Sequence, residues 1–442
     1  MSPSRGLPRL LTFTNPLKLT VRHYSTPPQI PDKHPLELLR NSPHRLHIYR
    51  STSTNPFFNL SLEDYLLRHS PPTSKILFTY TNSPSIILGR NQNIWSEVNI
   101  PLLDSPKHSH VNLVRRRSGG GTVYHDLGNL CWSVITPRKS FDRDFYAKVV
   151  VKALHSLGVS EATINERHDI VLRQPGKDLK VSGSAYKIIR ERAYHHATLL
   201  LSSKLDDIKS LLRSPLKEFI TTKGVESVRS EVSNIGVDKE ALTEKIEEEF
   251  LIANEFGKEG DEWAIRVTLD EGEAIKVRDY IKEGMKELQS QKWLYTQTPE
   301  FTLSLPPSKP LPELSTLPGF QPILPQNSKF TLLSTSSTLQ NIQISTSKDP
   351  DFSFVQSQES HIRLLNTPFS GPHISQKLSE VKSLPEDTIK DLGRWINTAV
   401  GAWRGDEKFD PYKTDDGEKT LRARAIDRDE QRKKRGLVES VG

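Results

Sequence analysis

Cysteine occurs once in the 442 residues, as Cys131, and methionine twice. One thiol excludes an intramolecular disulfide framework and a cysteine-rich zinc site. No stretch approaches the ~18 consecutive apolar residues of a membrane helix, so no membrane span is expected. Apolar residues amount to 35%, low against the ~45–50% of ordinary globular chains, a figure that also counts Gly. Yet 16 Phe, 6 Trp and 11 Tyr are present, enough for a sizeable core. The deficit therefore points to an enzyme-sized core accompanied by polar segments that bury little. The length suggests two or three domains.

Charge is unevenly placed. The net +7 would permit nucleic-acid binding. Residues 1–30 contain Arg5, Arg9, Lys18 and Arg22, seven Ser/Thr and no acid. That pattern predicts a mitochondrial presequence over 1–25, with a cleavage-like stretch Arg22-His23-Tyr24-Ser25 and a matrix location. The competing reading is a basic frayed terminus. At the other end, Asp406–Gly442 holds ten acids and ten bases. Without an apolar stripe such a segment buries too little to order itself, so 405–442 reads as a solvated tail. Its run Arg432–Arg435 is too weak a pattern to support a nuclear signal.

Between the ends, prolines from Pro27 to Pro43 mark an extended leader over 26–54. Phe58, Leu62, Tyr65 and Leu66 fall on one helical face. Short apolar strands follow at Lys75–Tyr80, Ser85–Gly89 and Asn129–Thr136. Asp142 is placed to cap a helix that Gly158 ends. Further strands are expected at Asp169–Arg173, Leu179–Gly183 and Ala197–Ser202, and a helix at Lys239–Phe256. Strand hairpins mixed with helices predict an α/β or α+β fold with a mixed sheet over 55–257. A second, smaller α+β unit is expected over 262–404. It is interrupted by eight prolines within 299–325, a composition that belongs to an insertion.

Two segments carry chemistry. In Arg115–Asn129, the run Ser118-Gly119-Gly120-Gly121 lies between two strands. Its backbone N–H groups are unobstructed by side chains and suit a phosphate or a closely wrapped ligand. Arg116 and its neighbours can neutralise an anion. No Gly-Lys-Ser/Thr follows, so this is not a P-loop, and the dinucleotide glycine spacing is missing. The second segment is Lys180-Val181-Ser182-Gly183-Ser184-Ala185-Tyr186, followed by His196-Ala197-Thr198. A strand lysine beside small residues can hold a carboxylate against a phosphate. Taken alone, each segment also fits a plain exposed basic strand or hairpin.

Together, Leu88–Trp95, Arg115–Asn129, Lys180–Tyr186, His195–Leu200 and Lys223–Ser230 resemble the lipoate–protein ligases of the biotin/lipoate ligase family, in the family's order and spacing. The resemblance implies an enzyme that activates lipoate or octanoate with ATP and Mg²⁺ to an acyl-adenylate. The acyl group then passes to a lysine of a lipoyl domain, on 2-oxo acid dehydrogenase E2 subunits or the glycine-cleavage H protein. It implies that Lys180 meets the carboxylate and the α-phosphate. Ser118, Gly119, Gly120 and Gly121 would lie along the acyl chain, with Ser182 and Gly183 beside it. Arg90, Trp95 and Arg116 would shape the acyl tunnel and His196 would border it. Val225, Ser227, Val228 and Arg229 belong to a segment expected to close over the nucleotide. Lys187 would contact the nucleotide, at a position where bacterial relatives have arginine. His125 reads as a structural hydrogen-bonding residue as much as a substrate contact. Cys131, in an apolar strand, reads as a core residue, and the histidines show no metal-ligand spacing.

The alternative within the same family is an ATP-independent transferase that moves the acyl group from H protein to E2 subunits. The alternative from another class is a basic nucleic-acid-binding protein. No aromatic-laced basic platform accompanies the charge, so no nucleic-acid partner is expected.

Overall fold

A computed structural model describes residues 9–15, 18–21, 34–39, 45–255, 263–305, 328–346, 355–356 and 358–403. The cleavage-like stretch 22–25, most of the proline insertion and the 405–442 tail lie outside the described residues. The chain divides into two compact units. The first is Met1–Arg90, Asn112–Ile208 and Ser227–Ser290, and the second is Asn91–Val111, Lys209–Glu226 and Gln291–Gly442.

In chain order the described strands are β1 (Arg9–Asn15), β2 (Lys18–Val21), β3 (Leu46–Ser51), β4 (Lys75–Tyr80), β5 (Ser85–Leu88), β6 (Asn112–Arg115) and β7 (Val123–His125). Next come β8 (Asn129–Pro137), β9 (Ala162–Ile164), β10 (Ile170–Gln174), β11 (Lys177–Lys180), β12 (Ser184–Ile188) and β13 (Arg192–Leu200). The last are β14 (Ile220–Thr222), β15 (Trp263–Leu269), β16 (Phe301–Leu305), β17 (Ser328–Thr335), β18 (Thr338–Thr346) and β19 (Val355–Gln356).

The first unit is a mixed α+β fold, as expected. Its main sheet runs β12-β13-β8-β4-β3-β15-β1-β2, beside two three-stranded sheets, β11-β10-β9 and β6-β5-β7. The main sheet's central strands β3, β4, β8, β13 and β15 feed buried cores on both faces. Trp132, Val134, Ala197 and Leu199 point to one face, under helices Phe145–Ser156 and Lys239–Ala253. Cys131, Ile135 and Tyr194 point to the other, with Phe58, Leu62 and Tyr65 of helix Pro56–His69. The period of two along a strand sorts the side chains between these faces. It also decides which helix each polar side chain meets.

Several boundaries differ from the sequence reading: the strand expected at Leu179–Gly183 is Lys177–Lys180, and that expected at Ala197–Ser202 is Arg192–Leu200. β3 falls within the predicted leader, yet it pairs in parallel with both β4 and β15. β15, expected to open the second unit, lies in the first unit's sheet between β3 and β1. Ala264 feeds one core and Val267 and Leu269 the other, so the strand fits a doubly covered slot. The Asp142 carboxylate does accept the Phe145 N–H at 2.7 Å, but the helix begins after Asp144. Gly158 ends that helix with φ +87°, in the left-handed region.

The second unit is built on a five-stranded sheet, β14-β16-β17-β18-β19. Two excursions from within the ligase-like stretch, 91–111 and 209–226, supply part of it.

Candidate active site

The Arg115–Asn129 segment leaves β6, makes the glycine loop and re-enters as β7. Arg116 holds that loop from below. Its guanidinium donates to the carbonyls of Gly119 (2.6 Å), Gly121 (2.8 Å) and Ile87 (3.0 Å). Its Nε donates to Ser118 Oγ at 2.9 Å. Burial lowers the Arg116 pKa to about 10, so it still carries its charge at neutral pH. Carbonyls 119 and 121 face Arg116, so the N–H groups of the same peptides, on Gly120 and Thr122, face the other way. The Thr122 N–H meets Ser227 Oγ at 2.9 Å. Gly120 has φ +85°, and a Cβ there would lie 3.0 Å from the Arg116 guanidinium. Glycine is required at this close approach.

Lys180 ends β11. Its ammonium pairs with Asp169 at 2.7 Å, and the Asp169 carboxylate also accepts the Ser184 N–H at 3.4 Å. Residues 231–233 run beside Lys180. Its N–H donates to the Glu231 carbonyl (2.8 Å) and its carbonyl accepts from Ser233 (3.0 Å). The chain that starts at Ser227 thus touches both the glycine loop and the lysine strand. A Cβ at Gly183 would approach Val123 (3.3 Å), Thr198 (3.6 Å) and the Lys180 stem (3.9 Å). This close packing ties the two motif segments together. The Ser182 hydroxyl is buried and has no hydrogen-bond partner among the described residues.

His196 borders the loop. Its Nε2 lies 2.8 Å from Ser118 Oγ, and its Nδ1 lies 3.0 Å from the Glu63 carboxylate. The neighbouring acid, Asp64, gathers Lys187 (2.6 Å), Arg68 (2.8 Å) and the Tyr280 hydroxyl (2.7 Å), with Arg117 at 4.0 Å. Burial alone would raise the Asp64 pKa. Lys187, Tyr280 and Arg117 outweigh it and hold the carboxyl at about 2. Neither Glu63 nor Asp64 was singled out from sequence. The available signal was two adjacent acids within a helix whose flanking residues Leu62, Tyr65 and Leu66 are core.

His125 is buried against Asn82 (2.9 Å) and lies 3.6 Å from Cys131 Sγ. Burial, then Arg116 and His196, push its pKa down to about 3. Burial, then Glu63, push the Cys131 thiol upward. Both groups are therefore neutral, so this contact is no thiolate–imidazolium pair.

The first unit thus brings together Arg116, Ser118, the three glycines, Lys180, Ser182, Gly183, His196 and Ser227. The Arg90 N–H reaches the Ser118 carbonyl at 2.8 Å. Val228 and Arg229 are exposed. Trp95 and Val225 belong to the second unit. There Trp95 is buried against Phe369, Phe301 and Tyr295, with ring centroids 4.6, 5.5 and 6.0 Å away. Its indole N–H donates to the Val400 carbonyl at 3.0 Å. Val225 donates its N–H to the Asn91 carbonyl at 2.9 Å. Among the described residues no three His, Cys, Asp or Glu side chains cluster to hold a metal ion. No described helix is long and apolar enough to cross a membrane.

A mixed-sheet α+β domain thus holds a glycine loop on a buried arginine, close to a strand lysine, an arrangement of donors and cations that suits an anionic ligand. Residues 55–251 match the lipoyl protein ligase A/B catalytic domain. A Schizosaccharomyces pombe protein, provisionally named lipoate-protein ligase A, is 43% identical over 265 residues. That match takes in 56% of this chain and 70% of the relative. A Saccharomyces cerevisiae protein with the same provisional name is 36% identical over 271 residues, 58% of this chain and 62% of its own length. The solved P. falciparum LipL1–lipoate complex is similar at 22% identity and a TM-score of 0.47, covering 79% of this chain and 98% of that one. The chain belongs to the lipoyl protein ligase A/B family of enzymes.

Proposed function

We propose that the protein is a lipoate–protein ligase. It activates lipoate or octanoate with ATP and Mg²⁺ and passes the acyl group to the ε-amine of a lysine on a lipoyl domain. The reading rests above all on the juxtaposition of Lys180 with the glycine loop that Arg116 holds. An ammonium on a fixed strand can bind a substrate carboxylate and, after activation, an α-phosphate oxygen. For this it must exchange the Asp169 carboxylate for the ligand's. The Gly120 N–H, turned away from Arg116, is the loop donor this reading gives to the ligand. Ser182 offers a hydroxyl that is unpartnered among the described residues. ATP supplies the adenylyl group and phosphate-bound Mg²⁺. Val225, Ser227, Val228 and Arg229 are the residues proposed on the nucleotide side. Burying an eight-carbon chain at about 0.8 kcal/mol per CH₂ would anchor the acid. The acceptors would be 2-oxo acid dehydrogenase E2 subunits and the glycine-cleavage H protein. The matrix is the proposed location, from the acid-free 1–25 segment. N-terminal sequencing of protein recovered from mitochondria tests it, with a start near Ser25 expected.

The second reading, transfer without ATP, has one observation in its favour. Lys187, proposed at the nucleotide, is engaged by Asp64 at 2.6 Å. Acylation of an apo-lipoyl domain decides between the two. Product from free lipoate that requires ATP-Mg²⁺ supports the ligase. Product only from acylated H protein or preformed lipoyl-AMP supports the transferase. No product from any donor refutes both.

A further inference from the structure

The carboxylate of Glu63 is nearly fully buried, at 2% side-chain exposure. Burying a carboxylate is costly unless it is paired. Among the described residues its hydrogen-bond partner is His196, whose Nδ1 sits 3.0–3.1 Å from both carboxylate oxygens. No part of the ligase reading above uses this acid.

The donors around His196 can be assigned from chemistry alone. Arg116 can only donate, so Ser118 Oγ accepts from its Nε at 2.9 Å. A carboxylate only accepts, so the His196 nitrogen that faces Glu63 carries a proton. In the neutral imidazole that leaves Nε2 bare, 2.8 Å from Ser118 Oγ, and the Ser118 hydroxyl donates to it. Tyr194 also hydrogen-bonds Ser118; with the phenol as donor there, the hydrogen bonds run one way, from Arg116 to Ser118 to His196 to Glu63. Arg116 is the group whose other nitrogens hold the carbonyls of Gly119 and Gly121.

We propose that Glu63 is a positioning residue for the acyl-binding loop. By fixing His196 in its Nδ1–H tautomer, it makes His196 the acceptor of the Ser118 hydroxyl and so fixes the serine that Arg116 also holds, in the loop proposed to receive the acyl group. Glu63 acts in this proposal through His196 and Ser118. The consequence for catalysis rests on the ligase or transferase reading, whereas the tautomer does not.

The test has two arms. In protein labelled with ¹⁵N-histidine, with the His196 signals assigned by a His196→Gln variant, the wild type is expected to show a protonated Nδ1 and a bare Nε2. Glu63→Gln, whose amide can present either oxygen or nitrogen, is expected to broaden or displace that pattern. In the second arm, transfer from preformed lipoyl-AMP to a lipoyl domain is followed. Glu63→Gln is expected to raise KM for the adenylate about tenfold and leave kcat within about twofold, the split that identifies lost ligand positioning. An Nε2–H tautomer in the wild type overturns the proposal. So does a Glu63→Gln variant with unchanged His196 signals and unchanged KM. If Glu63→Gln fails to fold, the wild-type tautomer alone decides. If the wild type transfers nothing, the functional reading fails and the spectroscopic arm still judges Glu63.

Discussion

Lys180 and Trp95 both stand in family-like segments, yet their surroundings are opposite. Around Lys180 the first unit buries ionic and polar groups: Asp169, Arg116, Ser118, His196 and Glu63 are all at least half-buried and hydrogen-bonded. Around Trp95 the second unit buries rings, and one indole hydrogen bond to a backbone carbonyl satisfies the polar atom. Buried polar clusters cost stability unless every member is paired, whereas aromatic clusters contribute it. A motif residue in the first setting is held by polar and ionic contacts, and one in the second by aromatic packing.

The largest expected effect comes from Lys180→Ala. Acyl transfer should fall by at least about a hundredfold, the order seen when one preorganised charge contact is removed. Circular dichroism and the unfolding midpoint should stay close to wild type. Full activity in a folded variant would remove Lys180 from the centre of the account.

Trp95→Ala should do the reverse. Loss of a buried tryptophan costs about 3–5 kcal/mol, so denaturant melts should show a clear loss of stability. Any activity that remains in the folded fraction should have near-normal KM. A stable Trp95→Ala protein with a specific KM defect would break the contrast.

Acid sharpens the comparison through two imidazoles. His125 and His195 are each pushed down to about 3, chiefly by burial; then Arg116 and His196 act on the first, and His196 and His168 on the second. Their folded pKa values lie below the ordinary 6.5 of the unfolded chain. The stability they contribute is present above 6.5 and is lost as pH falls from there towards 3. One pH unit below 6.5 the two together should cost about 3 kcal/mol. Denaturant melts at pH 7.5 and 5.5 check this, and His195→Gln should flatten the difference. The smallest effect is expected from Cys131→Ala. Loss of a small buried side chain costs about 1 kcal/mol, and transfer should be unchanged because the thiol is neutral. Lost transfer in a folded variant would instead indicate a thioester route.

Much of the first unit was legible because its signals are local. The glycine loop, the lysine strand, the Gly158 helix stop and the apolar run of β8 each follow from adjacent residues. β15 was not legible in its true place. Its pairing with β3 spans more than two hundred residues, and an apolar strand does not announce its neighbour. The division of 91–111 and 209–226 into the second unit escaped for the same reason. Glu63 and Asp64 were hidden by their helix, whose apolar pattern draws attention to Leu62 and Tyr65. Lys187 was read as a nucleotide contact from its position, while its Asp64 partner lies on a distant helix.

The central claim is that the Lys180 site lipoylates protein. The direct measurement is the intact mass of an apo-lipoyl domain after incubation with the purified chain, lipoate, ATP and Mg²⁺, with lipoyl-AMP as a parallel donor. The account predicts a gain of one lipoyl group on one lysine in the wild type and none with Lys180→Ala. An unmodified domain with both donors and with acylated H protein, or full modification by Lys180→Ala, would contradict it.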